Sequence, residues 1–123
     1  MKCPKCLSAM ESFADGSISI NRCQECYGLF FDRLTMDDFE NIREAEQFDI
    51  GDELVGARFN EILDTSCPRC SVKMDHVLQH DPFEIRFESC PRCRGAYFDA
   101  GEFRDYLQDE IFDEFREIVS GLK

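Results

Sequence analysis

The sequence predicts a small metal-bound α+β fold, two tandem three-stranded units joined and followed by amphipathic helices. Three observations predict it. The eight cysteines fall in four C-x-x-C pairs, Cys3/Cys6, Cys23/Cys26, Cys67/Cys70 and Cys90/Cys93. The stretch CQECYGLFFD, Cys23 to Asp32, is matched by CPRCRGAYFD, Cys90 to Asp99. After each of these stretches the apolar period changes from two to about 3.6, the change from strand to helix.

The repetition sets the organisation. Aligning Cys3 with Cys67 brings Cys6 onto Cys70 and Met10 onto Met74. Aligning Cys23 with Cys90 brings Cys26, Gly28, Phe31 and Asp32 onto Cys93, Gly95, Phe98 and Asp99. A tandem duplication of this kind divides the chain into a first unit over 1–33, an acidic helical connector over 34–64, a second unit over 65–99 and a C-terminal amphipathic helix over 100–123. At 123 residues the chain suffices for one ordinary domain or two very small ones. Units so small bury only modest apolar cores unless something else holds them.

Each element has its own signal. In the first unit Asp15-Gly16 marks a hairpin, Ile18 and Ile20 alternate with Ser19 and Asn21, and Leu29 to Phe31 forms a short third strand. In the connector Thr35 with Asp38 offers a helix cap, Phe39, Ile42 and Phe48 share a face, and Gly51 breaks the segment before a second helix carrying Leu54, Val55, Phe59, Ile62 and Leu63. In the second unit Asp81-Pro82 marks the turn, Phe83, Ile85 and Phe87 alternate with charges, and Ala96 to Phe98 is the third strand. Asp99 followed by Glu102 has the form of a capping box, which opens a long helix carrying Phe103, Tyr106, Leu107, Ile111, Phe115, Ile118 and Leu122. These stripes serve either as core or as a surface for a protein partner or for a homo-oligomer paired through the last helix.

The chemistry lies in the cysteines. Four thiolates satisfy a zinc ion in a tetrahedron, and two C-x-x-C turns facing one another across a hairpin supply them with little strain. Sixteen residues separate Cys6 from Cys23, and nineteen separate Cys70 from Cys90, both suited to such a site. The reading is two Zn2+, one held by Cys3, Cys6, Cys23 and Cys26, the other by Cys67, Cys70, Cys90 and Cys93. A cross-braced arrangement also uses all eight sulfurs, but a unit copied whole brings a complete site with it. Iron suits the same ligand set, and thiol switching or a disulfide framework are further uses for paired cysteines. His76 and His80 have no counterpart in the first unit and are not needed to complete either tetrahedron. Gly28 and Gly95 are expected at positive φ, where each knuckle turns sharply. Lys2, Lys5, Arg69, Arg92 and Arg94 lie beside or within the knuckles and offset the charge of a tetrathiolate centre.

The net charge of −12 is unevenly spread. Acids and bases cancel over 1–33, four against four, and over 67–99, five against five. The excess lies in 34–66, ten acids against two bases, and in 100–123, seven against three. A phosphate-binding face needs a surplus of cations that neither unit has, so nucleic acid is a disfavoured partner. The alternative patch is Arg69, Arg86, Arg92 and Arg94 with Tyr97 and Phe87 as stacking rings. The opening MKCPKC has no signal-peptide pattern and no window is apolar for the length of a membrane span, so the expectation is a soluble cytoplasmic protein with no membrane partner.

CPRC, Met74 and CPRCRGAYFDAGEF together resemble the bacterial zinc-ribbon family named after transcription factor IIB, whose members read C-P-x-C, then C-x-x-C-x-G-x-W-x-D-x-G-E-L. The second copy has Tyr97 in place of the usual tryptophan; the first has Gln24 for proline and Arg33-Leu34-Thr35 where A-G-E stands in the second. The resemblance implies a three-stranded ribbon with one zinc per unit and implies little about activity. Closed tetrathiolate zinc has no open position for water, and the chain carries no phosphate loop or serine nucleophile motif. The expected function is therefore non-enzymatic: a zinc-stabilised adaptor or regulator that works through its acidic helices.

Overall fold

A computed structural model describes residues 1–15, 18–32, 42–59, 61–62, 64–80 and 83–121. Among the described residues are six strands: β1 (Met10–Asp15), β2 (Ile18–Cys23), β3 (Leu29–Phe31), β4 (Asp75–Gln79), β5 (Ile85–Ser89) and β6 (Ala96–Phe98). A 3-10 helix, Ile42–Phe48, and α1 (Glu53–Phe59) stand between the halves, and α2 (Glu102–Tyr106) and α3 (Asp109–Gly121) follow them. The two expected hairpin tips, at Gly16 and at Asp81-Pro82, and the Thr35–Asp38 cap with Phe39 lie outside the described residues.

The halves do not fold as separate sheets. All six strands join in one antiparallel sheet in the order β1-β2-β3-β6-β5-β4. The seam is the pair of shortest strands: Leu29 faces Phe98, Phe30 faces Tyr97 and Phe31 faces Ala96. Phe30 and Tyr97 occupy the same position in the two copies, so the seam is a two-fold axis written into one chain. Each copy leaves its third strand as an open edge, and edge backbone that finds no partner is costly to bury. The copies solve this by pairing with each other.

Alternation along the seam strands decides what each face meets. Leu29, Phe31, Ala96 and Phe98 point to one side, where they join Ile18, Ile20, Ile85 and Phe87 in a core closed by Phe103, Tyr106, Leu107, Phe115 and Val119. Phe98 is its hub, with ring centroids 5.2 Å from Phe87, 5.5 Å from Phe31, 5.4 Å from Phe103 and 5.6 Å from Phe115. Phe30 and Tyr97 point to the other side, among the cysteines, Met74, Val55 and Phe59. The duplicated sheet thus builds an apolar core between helices and strands that neither half would have alone.

The helical segments depart from expectation at three points. One long C-terminal helix was expected, but it breaks after Tyr106 and resumes at Asp109. Leu107 turns inward to 3 % exposure, and its carbonyl accepts a bond from Arg43 of the connector. In α3, Phe115 and Val119 are buried on the sheet, and Ile111, Phe112 and Ile118 pack against the same core while partly buried; Leu122 lies outside the described residues. The Asp99–Glu102 capping box does not form: Gly101, with φ 84°, stands just before α2 at its cap position and supplies no side-chain bond. Asp49 substitutes from a distance, its carboxylate accepting the N–H groups of Gly101 and Arg104 at 2.9 Å each. In α1, Leu54 is 76 % exposed rather than buried. The helix packs through Gly56 instead, against the turn between β6 and α2, where an added Cβ would stand 2.0 Å from the carbonyl oxygen of Ala100.

Candidate metal centres

Each C-x-x-C forms a tight turn whose geometry follows from its backbone bonds. The N–H groups of Leu7, Ser71 and Arg94 reach back to the carbonyls of Cys3, Cys67 and Cys90 at 2.9 to 3.0 Å. The residue after the second cysteine takes the left-handed conformation in all four turns: Leu7 (φ 65°), Tyr27 (φ 62°), Ser71 (φ 62°) and Arg94 (φ 63°). Positive φ was expected one position later, at Gly28 and Gly95. Those glycines serve a different need. A Cβ on Gly28 would sit 2.0 Å from the Tyr97 hydroxyl, and one on Gly95 would sit 2.2 Å from Cζ of Phe30. Each glycine of one copy makes room for the seam ring of the other.

The turns bring the sulfurs into two sets. Those of Cys3, Cys6, Cys23 and Cys26 lie within 4.8 Å of one another, and so do those of Cys67, Cys70, Cys90 and Cys93. Among the described residues no such group draws sulfurs from both halves, and neither histidine joins one. His76 instead places Nδ1 3.4 Å from Glu88 Oε1.

The donor set fits a divalent cation. Backbone N–H groups of Glu25 and Cys26 point at Cys23 Sγ, those of Arg69 and Cys70 at Cys67 Sγ, and those of Arg92 and Cys93 at Cys90 Sγ, at 3.3 to 3.4 Å. Such donors favour the thiolate form. Crowding opposes it. Within the first set the hydrogen bond from Cys26 pushes Cys3 down to about 4, and the same bond pushes Cys26 far up. Burial raises Cys23 and Cys67, and pushes Cys93 up to about 12. Four neighbouring sulfurs cannot all ionise on their own. A bound cation removes that conflict, which is why metal binding to cysteine is coupled to proton release.

Around the sulfurs the two copies exchange groups across the seam. The Tyr97 hydroxyl of the second copy lies 3.3 Å from Cys3 Sγ and 3.6 Å from Cys26 Sγ. Burial, and then the charges of Cys3 and Cys26, hold this phenol well above its usual range, so it stays a donor. Phe30, its counterpart, packs on Gly95 beside the second set with no hydroxyl to give. The repeated aspartates cross as well. Lys5 Nζ meets Asp99 Oδ2 at 2.7 Å, and Arg69 meets Asp32 Oδ2 at 2.5 Å, with the same positions of the repeat paired both times. Lys5 and Arg69 therefore answer first to the opposite copy's carboxylate and not to the nearby sulfurs.

The Lys5 pair belongs to a buried cluster that sequence reasoning missed. The Lys5 side chain is fully enclosed; besides Asp99 it contacts Glu88 Oε1 at 2.8 Å and the Phe59 carbonyl at 3.0 Å. Asp99 Oδ1 and Glu88 Oε2 are buried without a hydrogen-bond partner. Burial accordingly raises both acids, Asp99 to about 7. The available signal was the recurrence of a base at the third position of the first knuckle in each copy, matched by the recurrent aspartate. Of the alternative patch, the two stacking rings are buried: Tyr97 and Phe87 are 0 % and 1 % exposed, which leaves neither ring face open to a base.

A family model described as a transcription factor zinc-finger, the TFIIB-type zinc ribbon, matches residues 2–41 and 66–109. No curated protein and no solved structure matches the chain.

Proposed function

Because the chain belongs to the TFIIB-type zinc-ribbon family, in two tandem copies, we propose that it is a non-enzymatic protein holding one zinc ion on each cysteine tetrad and serving as a protein-interaction adaptor. Eight thiolates with two divalent ions make the loaded chain more acidic than its formal −12. Zinc with four sulfur ligands keeps no open coordination position, so the ions have a structural part and the surface does the work. A reducing compartment such as the cytoplasm suits free thiolates of this kind.

The observation that carries the adaptor reading is an acidic cleft beside one exposed apolar side chain, Leu54. It measures about 620 Å³ and is lined by Glu53, Glu84, Glu102 and Asp105 around Leu54 and Ile111. Leu54, at 76 % exposed, is a large apolar group in the open at the rim of a field of carboxylates. A partner segment carrying basic residues and one apolar anchor matches that surface. The test is affinity capture with the wild-type chain and with Leu54→Asp, at low and moderate salt. A partner lost with the variant and weakened by salt supports the reading; equal capture by both overturns it. Native mass spectrometry of the same material reports the metal, with two zinc ions per chain expected.

A further inference from the structure

The two tetrads are copies in sequence but not in surroundings, and three differences run the same way. The first concerns donors. Tyr97 sets a hydroxyl against Cys3 and Cys26, whereas Phe30, in the mirrored position on Gly95, sets only ring carbon near the second tetrad. The second concerns access. Cys3, Cys23 and Cys26 are buried and Cys6 alone is partly open, while in the second tetrad both Cys70 and Cys93 are partly open. The third concerns the clamp across the seam. Lys5, inside the first knuckle, holds Asp99 with a side chain of 0 % exposure, while Arg69, its counterpart, is 49 % exposed where it meets Asp32.

We propose that the two centres differ in function: Cys67, Cys70, Cys90 and Cys93 form the exchangeable site, which yields its metal to a competing small chelator, while Cys3, Cys6, Cys23 and Cys26 retain theirs. Tyr97 is the positioning residue that supplies the donor part of the difference. The inference rests on the zinc reading above. Were a metal held by these sulfurs, a competing ligand would reach it most readily beside partly open sulfurs, here Cys70 and Cys93. A hydroxyl donating to a sulfur stabilises it in the anionic, metal-held form and lowers its reactivity. The first centre has that donor and one partly open sulfur; the second lacks it and has two.

The experiment follows metal loss from the full chain under excess EDTA by native mass spectrometry, with freed thiols trapped by N-ethylmaleimide and located by peptide mass. A one-metal species is expected to accumulate, labelled on Cys67, Cys70, Cys90 and Cys93. Removal of an outer donor commonly weakens a metal site about 10- to 100-fold, so the second ion should leave at least about tenfold faster than the first. Tyr97→Phe should bring the two rates together, and Phe30→Tyr should slow loss from the second centre. Simultaneous loss of both ions from the wild-type chain, earlier loss from the first centre, or a rate ratio unmoved by both substitutions would each overturn the proposal. A chain that carries no metal before EDTA is added would overturn the zinc reading instead, and this is seen at time zero.

Discussion

Tyr97 and Phe30, with the glycines beneath them, explain at the scale of single residues why the motif is written twice. Each copy supplies the lid of the other's knuckle, and the lid fits only where no Cβ intrudes. Gly28→Ala should therefore force the Tyr97 ring away from Cys3, at a cost of about 1–3 kcal/mol typical of overpacking, seen as a lower midpoint in denaturant melts of the loaded protein; an unchanged midpoint would mean that the ring gives way freely. Asp99 yields a pH prediction. Its value of about 7 in the fold lies above its ordinary 3.8, with burial as the leading cause. Between those values the folded chain holds a proton that the unfolded chain has released, so this group lowers stability as pH rises from about 4 to about 7 and has no further effect above. Proton release from the metal-bound cysteines has the opposite slope, so the two must be separated by substitution. Asp99→Asn should make stability of the loaded protein rise more steeply with pH across that window than it does for the wild-type chain, and coincident curves would show that Asp99 does not titrate there.

At the scale of elements, the strands were legible and the helix joints were not. Period-two alternation and turn residues identify β2, β3, β5 and β6 because strand patterns report burial on a face, which is local information. The breaks in the helices answer to distant partners. Asp49 stands 52 residues from Gly101, whose N–H it accepts, and nothing in the neighbourhood of either residue marks the pairing. The sequence offered Asp99 as the cap, and the fold gave that carboxylate to Lys5. Loss of the substitute cap is open to test. Asp49→Ala should cost about 1–2 kcal/mol, the usual worth of a capping carboxylate, and should raise hydrogen exchange at the Gly101 and Arg104 amides first. Protection unchanged at those two amides would show that α2 starts without Asp49's help. The tetrads were legible for the same reason that the strands were, since C-x-x-C spacing is local; the ring and the clamp that distinguish the two tetrads come from the opposite copy and could not be read from either copy alone.

At the scale of the molecule, the seam decides whether this is two small domains or one. Separate units would depend on their own metals, because neither has much apolar area to bury. The continuous sheet changes the balance: β3 and β6 share backbone bonds, and Phe31 from one copy and Phe87 from the other both meet Phe98. Any loosening of one half then exposes core belonging to both. Cooperativity should follow the sheet and not the repeat. Cys90→Ser, which removes one sulfur from the second tetrad, is expected to leave one ion bound and to lower the melting temperature, yet to keep a single transition in which amides of β2 and β5 lose protection together. Structural zinc contributes on the order of 10 kcal/mol to small folds of this type, comparable with the whole stability of a domain, so a second half standing alone would unfold outright. Two transitions, with β1 to β3 outlasting β4 to β6 by a wide margin, would mean that the seam is only a contact between independent ribbons. A single lowered transition means that the duplication has produced one folding unit, in which the metal on one side stabilises strands on the other.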